Sequence, residues 1–349
     1  LTDLLGCCFE AFQNFEYPAL RHAIYESSKF GLVVPFVIIG FFYGIFIGIT
    51  IATFATFVMM FWILRKRYGV LFQGNRVGIE KGRVLRFMGF ISIGSFSSVI
   101  FGYVDIIMLG IFLPAEYAGY YKAATNIIFA IAGLTGISSV LFPVFTQLEG
   151  KNLGDAFNKV FRYSSILSFP FAVSLAYFSE QIIGIVYGAE YLPAALPLLI
   201  LSPIIVFESI NFFGSLFGAM EKPQYLTAVS IISMMLNVVL NYFLILRFGI
   251  IGAAIATAIS RFFSIVALGV LSNIILKISP EANSIYKPMF ASLVMFTFLY
   301  LSPLPTTLFI GISELCIGIA IYFSVIVLTG GITREDLRYA KMILGIESL

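Results

Sequence analysis

The sequence predicts an all-α polytopic membrane protein, and three observations support that prediction. Of the 349 residues, 60% are hydrophobic and only 11% are charged, and the mean hydropathy is +1.01. Soluble domains contain about 25% charged residues, so the composition excludes a water-soluble globular domain. Apolar runs of roughly 18 residues or more recur along the chain, and each is long enough to cross a bilayer. Because lipid offers no hydrogen-bond partner to the backbone, we expect these runs to form helices.

Hydropathy and helix breakers divide the chain into ten predicted membrane spans. The apolar run from 28 to 64 is too long for a single span, and Gly40 and Gly44 mark the expected break. Pro193, Pro197 and Pro203 are expected to kink the sixth span. The ten spans are 28–43, 45–64, 86–111, 118–146, 162–179, 192–219, 225–246, 250–276, 287–302 and 306–328.

The distribution of basic residues supports this number of spans. Cytoplasmic loops of membrane proteins carry an excess of Lys and Arg. If the ten spans alternate and both chain ends lie inside, all of the 21 basic residues except Lys122, Arg247 and Arg261 fall in cytoplasmic segments. We therefore predict a multi-pass protein of the cytoplasmic membrane, with loops 65–86 and 148–161 on the cytoplasmic side.

Two short motifs recur in the same order and predict an internal duplication. The stretch FEAFQNFEY (9–17) matches FGAMEKPQY (217–225), and IGITIAT (47–53) matches IGAAIAT (251–257). Both pairs flank a predicted pair of helices. Duplicated halves should have equal lengths, but the first half, which begins at Leu1, is shorter than the second. We therefore expect a fragment that lacks about three and a half helices of a two-repeat transporter layout.

The duplication also predicts the organisation of the chain. It comprises a remnant of an N-terminal bundle (1–66), a basic cytoplasmic linker (67–85), a second six-helix repeat (86–276), two additional C-terminal spans (277–330) and a cytoplasmic tail (331–349).

Several segments resemble the polysaccharide-transporter branch of the multidrug/oligosaccharidyl-lipid/polysaccharide exporter superfamily, and especially its O-antigen and repeat-unit flippases. The segments are VDIIMLGIFLPAEYAGYYKAA (104–124), LFPVFTQL (141–148), YGAEYLPAALPLLIL (187–201), FGAMEKPQYLTAVSIISMMLNVVLNYFLI (217–245) and FGIIGAAIATAIS (248–260). The resemblance extends over nearly the whole chain. It implies the exporter fold of two six-helix bundles plus two C-terminal helices, around a central cleft that opens alternately to each side.

Five neighbouring spans carry polar residues at helical spacing, which predicts one hydrated cavity between them. The five sets are Ser95, Ser98, Gly102 and Asp105; Lys122, Thr125, Asn126 and Gly133; Glu208, Asn211 and Ser215; Ser230, Asn237 and Asn241; and Thr257, Arg261 and Ser264.

Within these sets we predict residues for substrate binding and for ion coupling. A guanidinium or ammonium group pairs well with a diphosphate, and asparagine side chains pair with sugar hydroxyls. A buried carboxylate can alternate between an ionised and a protonated state, as ion coupling requires. The predicted substrate-binding residues are Arg261, Lys122, Asn126, Asn237, Asn241 and Asn211, and the predicted ion-coupling residues are Asp105 and Glu208.

Each candidate also has a structural interpretation. Arg261 could neutralise Glu208 or Glu314, and Asp105 could form a static pair with Lys122. Lys122 could instead extend to the outer interface. Small and polar residues also join membrane helices without any further function. For Glu314, which lies outside the repeated helices, the structural interpretation is favoured.

The residues and the resemblance together predict a flippase that moves polyprenyl-diphosphate-linked oligosaccharide across the membrane by alternating access. Membrane lipids and polysaccharide-assembly proteins are the other predicted partners, and nucleic acid is not one. Because the sequence has no GxxxxGK[ST] nucleotide-binding loop, we expect the energy to come from a Na⁺ or proton gradient or from consumption of the product. No catalytic residue, metal site or organic cofactor is predicted.

Two other functions remain as alternatives. One is an ion-coupled multidrug or cation exporter of the same superfamily, which Asp105 and Glu208 would suit. The other is a membrane polysaccharide polymerase or glycosyltransferase, which the short predicted outer loops disfavour.

Overall fold

The protein divides into two compact helical units, Leu1–Lys81 and Gly82–Leu349. The computed structural model describes residues 5–6, 8–9, 14, 16–39, 42–69, 80–135, 138–148, 150–302 and 308–332, and these contain helices but no strand. The boundary between the units falls within the predicted linker. Part of that linker is helical, however, because a long helix begins at Lys81.

The first unit contains a pair of packed helices, α1 (Glu16–Ile38) and α2 (Phe42–Arg67). The predicted break in the run 28–64 is confirmed, since α1 ends at Ile38 and α2 begins at Phe42. Gly48 of α2 lies at this contact, where an added Cβ would lie 3.2 Å from the Cγ2 methyl of Val33 on α1. Phe9, Met60 and Leu64 form a small buried cluster in this unit.

The second unit begins with helices that run almost continuously along the chain. They are α3 (Lys81–Phe112), α4 (Ala115–Thr135), α5 (Ser138–Phe145), α6 (Gly150–Tyr177), α7 (Ser179–Val186), a 3₁₀ helix (Ala189–Ala194), α8 (Ala195–Leu201), α9 (Ile204–Ser209), α10 (Phe213–Ala219), α11 (Pro223–Phe248), α12 (Ile250–Leu271), a π-helical turn (Ser272–Leu276), α13 (Asn283–Leu301) and α14 (Leu308–Leu328).

Six helices of the described residues are long and apolar enough to cross a membrane, and up to eight spans result if each of two bent helix pairs counts as one. The sequence predicted ten. The other two predicted spans are also helical, in α1 and in α4 with α5. These helices are not both as long and as apolar as the six. Glu116 and Lys122 lie in the first turns of α4, and α1 carries several charges in its first half.

The sixth predicted span is interrupted rather than merely kinked. The segment Ala189–Leu201 meets Ile204–Ala219 at an angle of 52°. Pro203 lies in that break, where its ring and missing N–H prevent continuation of the helix. A second bend of 78° separates α6 from α7 at Phe178. The predicted kink in the sixth span is therefore confirmed, and it takes the form of a break in the helix.

The structure also corrects the predicted loop at 148–161. Residues 148–161 were expected to form a cytoplasmic loop, but α6 begins at Gly150. This part of α6 is amphipathic, and it buries Leu153, Phe157 and Phe161 against the core of the unit. Its charged residues lowered the local hydropathy, so the sequence placed the start of the helix too late.

The helices α11 and α12 form a tight antiparallel hairpin. Gly249 between them has a φ of 59° and a ψ of −136°, a conformation that essentially only glycine adopts. A Cβ on Gly252 would lie 2.0 Å from the carbonyl oxygen of Leu244, so only glycine allows this approach. The hairpin brings the polar residues of α11 and α12 into one layer.

Candidate functional site

A buried aspartate on α3 forms the centre of a polar network inside the second unit. Asp105 is 5% exposed, and three side chains from three other helices donate hydrogen bonds to its carboxylate. The hydroxyl groups of Tyr121 and Thr257 lie 2.8 and 2.7 Å from Oδ2. The side-chain nitrogen of Asn241 lies 2.5 Å from Oδ1. The network therefore supplies three hydrogen-bond donors to one buried side chain.

Two asparagines of α11 extend the network. Both Asn237 and Asn241 are fully buried. The nitrogen of Asn237 donates to Thr257 at 3.2 Å, and that of Asn241 donates to the oxygen of Asn237 at 3.1 Å. Within the described residues, the enclosed oxygen of Asn241 accepts no hydrogen bond. A buried carbonyl oxygen without a donor is costly, and a cation or a water molecule would satisfy it.

An ion pair joins α12 to α9 next to this network. Arg261 Nη1 lies 2.8 Å from Glu208 Oε1. The guanidinium also stacks over Phe101 of α3, with 4.3 Å between its central carbon and the ring centroid. The expectation that Arg261 neutralises Glu208 or Glu314 is thus confirmed for Glu208. Glu314 lies on α14 and is buried there.

Lys122 does not pair with Asp105. Within the described part of the chain no ion pair joins the two residues, and the predicted static Asp105–Lys122 pair is wrong. Lys122 is exposed, and its ammonium lies 6.0 Å from the ring centroid of Tyr103. The reason is local, because the adjacent Tyr121 points inward to the carboxylate and leaves Lys122 on a different face of α4.

The network and Arg261 border a small cavity. Its enclosed space is about 30 Å³ and holds about one water molecule. Its polar lining consists of Asp105, Tyr121, Lys122, Thr125, Thr257 and Arg261. The structure therefore brings Asp105, Arg261 and Lys122 to one cavity, with Asn237 and Asn241 bonded behind it.

The other predicted residues lie elsewhere. Asn126 is exposed on α4 and does not line the cavity. Asn211 lies in the break between α9 and α10, not on a helix face shared with Glu208. Ser230 and Ser264 are half-buried and do not line the cavity.

The predicted face of α3 is shifted by about one residue. Its buried residues are Gly94, Ser97, Phe101, Asp105 and Leu109, whereas Ser95, Ser98 and Gly102 are exposed. The hydroxyl of Ser98 donates to the carbonyl of Gly94 in its own helix, at 3.0 Å. Because a serine can satisfy its hydroxyl within the helix, its position does not reveal the buried face.

The sequence prediction missed Tyr121, whose hydroxyl donates to Asp105 and lies 3.1 Å from the hydroxyl oxygen of Thr257. A signal was present: Tyr121, Thr125 and Ile128 have the spacing of one helix face, and all three are buried. The prediction instead used the adjacent Lys122, which is exposed but lines the same cavity.

The fold and the sequence relate the chain to known proteins. Residues 17–196, just over half of the chain, match a family described as "Polysaccharide biosynthesis protein", and the chain therefore belongs to that family. Over 97% of its length the chain also resembles the solved structure of the lipid II flippase MurJ in an inward closed conformation, with a TM-score of 0.68 and 17% identity, and it covers 72% of that structure. At this level of identity the likeness shows the fold, a multi-pass exporter fold.

The relatives with known names come from archaea. The chain is 33% identical over 175 residues to the probable low-salt glycan biosynthesis flippase Agl15 of Haloferax volcanii, an alignment that covers 48% of the chain and 37% of that protein. It is 28% identical over 193 residues to the probable flippase AglR of the same organism, covering 52% of the chain and 40% of AglR. The chain thus covers well under two thirds of each of these relatives.

Proposed function

We propose that the protein is a flippase that moves polyprenyl-diphosphate-linked oligosaccharide across the cytoplasmic membrane by alternating access. The observation that carries the proposal is the cavity where Arg261 and Lys122 meet the buried Asp105 network. Charged groups within a membrane protein are expensive and usually mark a substrate or ion path. The names of the archaeal relatives and the MurJ-like fold support the same class of function.

In this proposal the cationic side chains receive the anionic part of the substrate. Arg261 offers a planar fork of donors that matches phosphate oxygens, and Lys122 adds a second positive charge at the cavity. The sugar head would occupy a wet cleft, and the apolar tail would remain in lipid. Asn126 and Asn211 lie outside the cavity, and they would meet the sugar only if it extends past the cavity wall.

The Asp105 network is proposed as the coupling site for Na⁺ or a proton. Its residues fit a small hard cation, because such a cation binds oxygen ligands. The network offers the carboxylate of Asp105, the hydroxyl of Thr257 and the amide oxygen of Asn241, which accepts no hydrogen bond within the described residues. A cation there would satisfy the Asn241 oxygen and neutralise the carboxylate. Glu208, predicted as a second coupling residue, is held by Arg261.

Transport in reconstituted vesicles tests the proposed function. A fluorescent lipid-linked oligosaccharide should become accessible to a membrane-impermeant quencher in vesicles that contain the protein, and remain protected in empty vesicles. Arg261→Leu should abolish this exchange at normal protein abundance. Arg261→Lys should retain part of it, since the charge remains but the fork is lost. Export of a cationic dye in place of the sugar lipid would instead favour the drug-exporter alternative.

A further inference from the structure

The ion pair between Arg261 and Glu208 is placed where a substrate anion would have to bind. The side chains are 23% and 26% exposed, so neither is sealed within the protein. Arg261 lines the cavity from α12, and Glu208 meets its guanidinium from α9 without lining the cavity itself. The positive group that would bind a diphosphate is therefore already occupied by a carboxylate.

Stability alone does not account for this pair. An ion pair removed from water contributes little net stability, because the desolvation cost of both charges offsets their attraction. The pair also uses the arginine incompletely. Within the described residues, the enclosed Nε of Arg261 donates to no acceptor. A diphosphate has several oxygens in the geometry that a guanidinium bonds in a bidentate manner, and one carboxylate oxygen at 2.8 Å does not reproduce that.

The two partners differ in how firmly they are held. Phe101 stacks on the guanidinium of Arg261 at 4.3 Å, which fixes it from the side of α3. Arg261 also belongs to a continuous helix of 22 residues. Glu208 lies on α9, which has only six residues and is bounded by breaks on both sides. A short segment between two breaks can shift without unwinding a long helix, so Glu208 is the partner that can leave.

We propose that Glu208 is an internal counter-ion that occupies Arg261 while the cavity is empty and is displaced by the diphosphate of the substrate. This inference rests on the proposed function, and it assigns to Glu208 a role in anion selection in place of ion coupling. With the pair formed, the arginine is neutralised and weak anions gain little by entering. Only a ligand with enough phosphate oxygens to replace the carboxylate completes the exchange and releases α9.

A double-mutant cycle on the protein in lipid nanodiscs tests the exchange. The probe is farnesyl diphosphate, with farnesol as the uncharged control, and the readout is the dissociation constant. Glu208→Gln should bind the diphosphate about tenfold more tightly, because the phosphate no longer has to displace a carboxylate from Arg261. Arg261→Gln should weaken binding, and in its presence Glu208→Gln should have no further effect. Glu190→Gln removes an equal charge at an exposed position of the 3₁₀ helix and should leave binding unchanged.

The outcomes separate this inference from the proposed function. Unchanged or weaker binding of the diphosphate by Glu208→Gln would overturn the counter-ion role. An equal gain in affinity from Glu208→Gln in the Arg261→Gln background would also overturn it, because it would indicate a general effect of charge. Absence of diphosphate binding in every variant would also overturn it. If Glu208→Gln does not fold, Glu208→Asp, which shortens the reach by one methylene, should still give a smaller gain. Flipping of the sugar lipid in vesicles decides the proposed function independently of all of these.

Discussion

At the scale of single residues, the properties of Asp105 follow from the groups that surround it. Three donors from α4, α11 and α12 converge on one carboxylate that is buried among apolar helices. Hydrogen bonds to a charged group contribute about 1.5–3 kcal/mol each, and leaving such a group short of a donor is costly. The network thus joins four helices at one point and at the same time holds a charge that a cation can neutralise.

Asp105→Asn separates coupling from stability. The amide keeps the size of the side chain but can neither bind nor release a proton and has no charge for Na⁺. We expect flipping in vesicles to continue and to lose its dependence on a Na⁺ or pH gradient. Since Lys122 is not paired with Asp105, adding Lys122→Gln should not restore that dependence. An unchanged gradient response in Asp105→Asn would refute the coupling role.

Tyr121→Phe tests the network itself. The substitution removes a donor to Asp105 without creating a cavity, and it should lower the free energy of unfolding by about 1–3 kcal/mol. Thermal unfolding of the detergent-solubilised protein measures the change. The effect should shrink in an Asp105→Asn background, because the two residues interact directly. Tyr242→Phe is the control, at an exposed tyrosine whose ring packs against Phe112 and Phe243.

At the scale of helices, the repeated motif places a glycine at a contact between two helices in both units. The second residue of IGITIAT is Gly48, and that of IGAAIAT is Gly252. Each glycine lies where its helix passes close to the backbone of the preceding helix in a hairpin, α1 with α2 and α11 with α12. This shared close approach explains why glycine recurs at that position, and it is consistent with the predicted duplication.

Gly252→Ala should disrupt the second hairpin. The added Cβ would meet the backbone oxygen of Leu244 at 2.0 Å, and a backbone atom cannot move aside without separating α11 from α12. We expect a loss of about 1–3 kcal/mol in stability, as for other overpacked sites. Gly110→Ala, where no atom lies within 4 Å of the new Cβ, should be neutral or slightly stabilising. Equal melting temperatures for the two variants would contradict this account of the hairpin.

At the scale of the whole molecule, the predicted orientation in the membrane is open to a direct test. In a variant without its three native cysteines, a cysteine at Lys81 should react with an impermeant thiol reagent only after the cells are permeabilised. A cysteine at Glu116, on the predicted outer side, should react in intact cells. Both positions are exposed, so access to the side chain does not limit the reaction. Labelling of the Lys81 position from outside would reverse the orientation.

Much of the fold could be predicted because the signals for it are local. The break between α1 and α2, the interruption near Pro203 and the ends of α13 and α14 lie close to the predicted positions. The candidate site could be predicted only in part. Asp105, Arg261, Asn237, Asn241 and Thr257 were identified, because polar residues in an apolar run are few. Their partners were not, because helical spacing limits a side chain to a face but does not say which face meets which helix.

The sequence by itself determined the class of protein and its helices. Composition and the need to satisfy every backbone group in lipid leave little choice but a bundle of helices, and both act on each segment separately. The tertiary structure alone decided the chemistry of the site. Thr257 and Asp105 are 152 positions apart in the sequence, and Asn241 and Asp105 are 136 apart. Such contacts depend on how the bent and broken helices pack together. For the same reason Arg261 meets Glu208 on a six-residue helix that lies between two breaks.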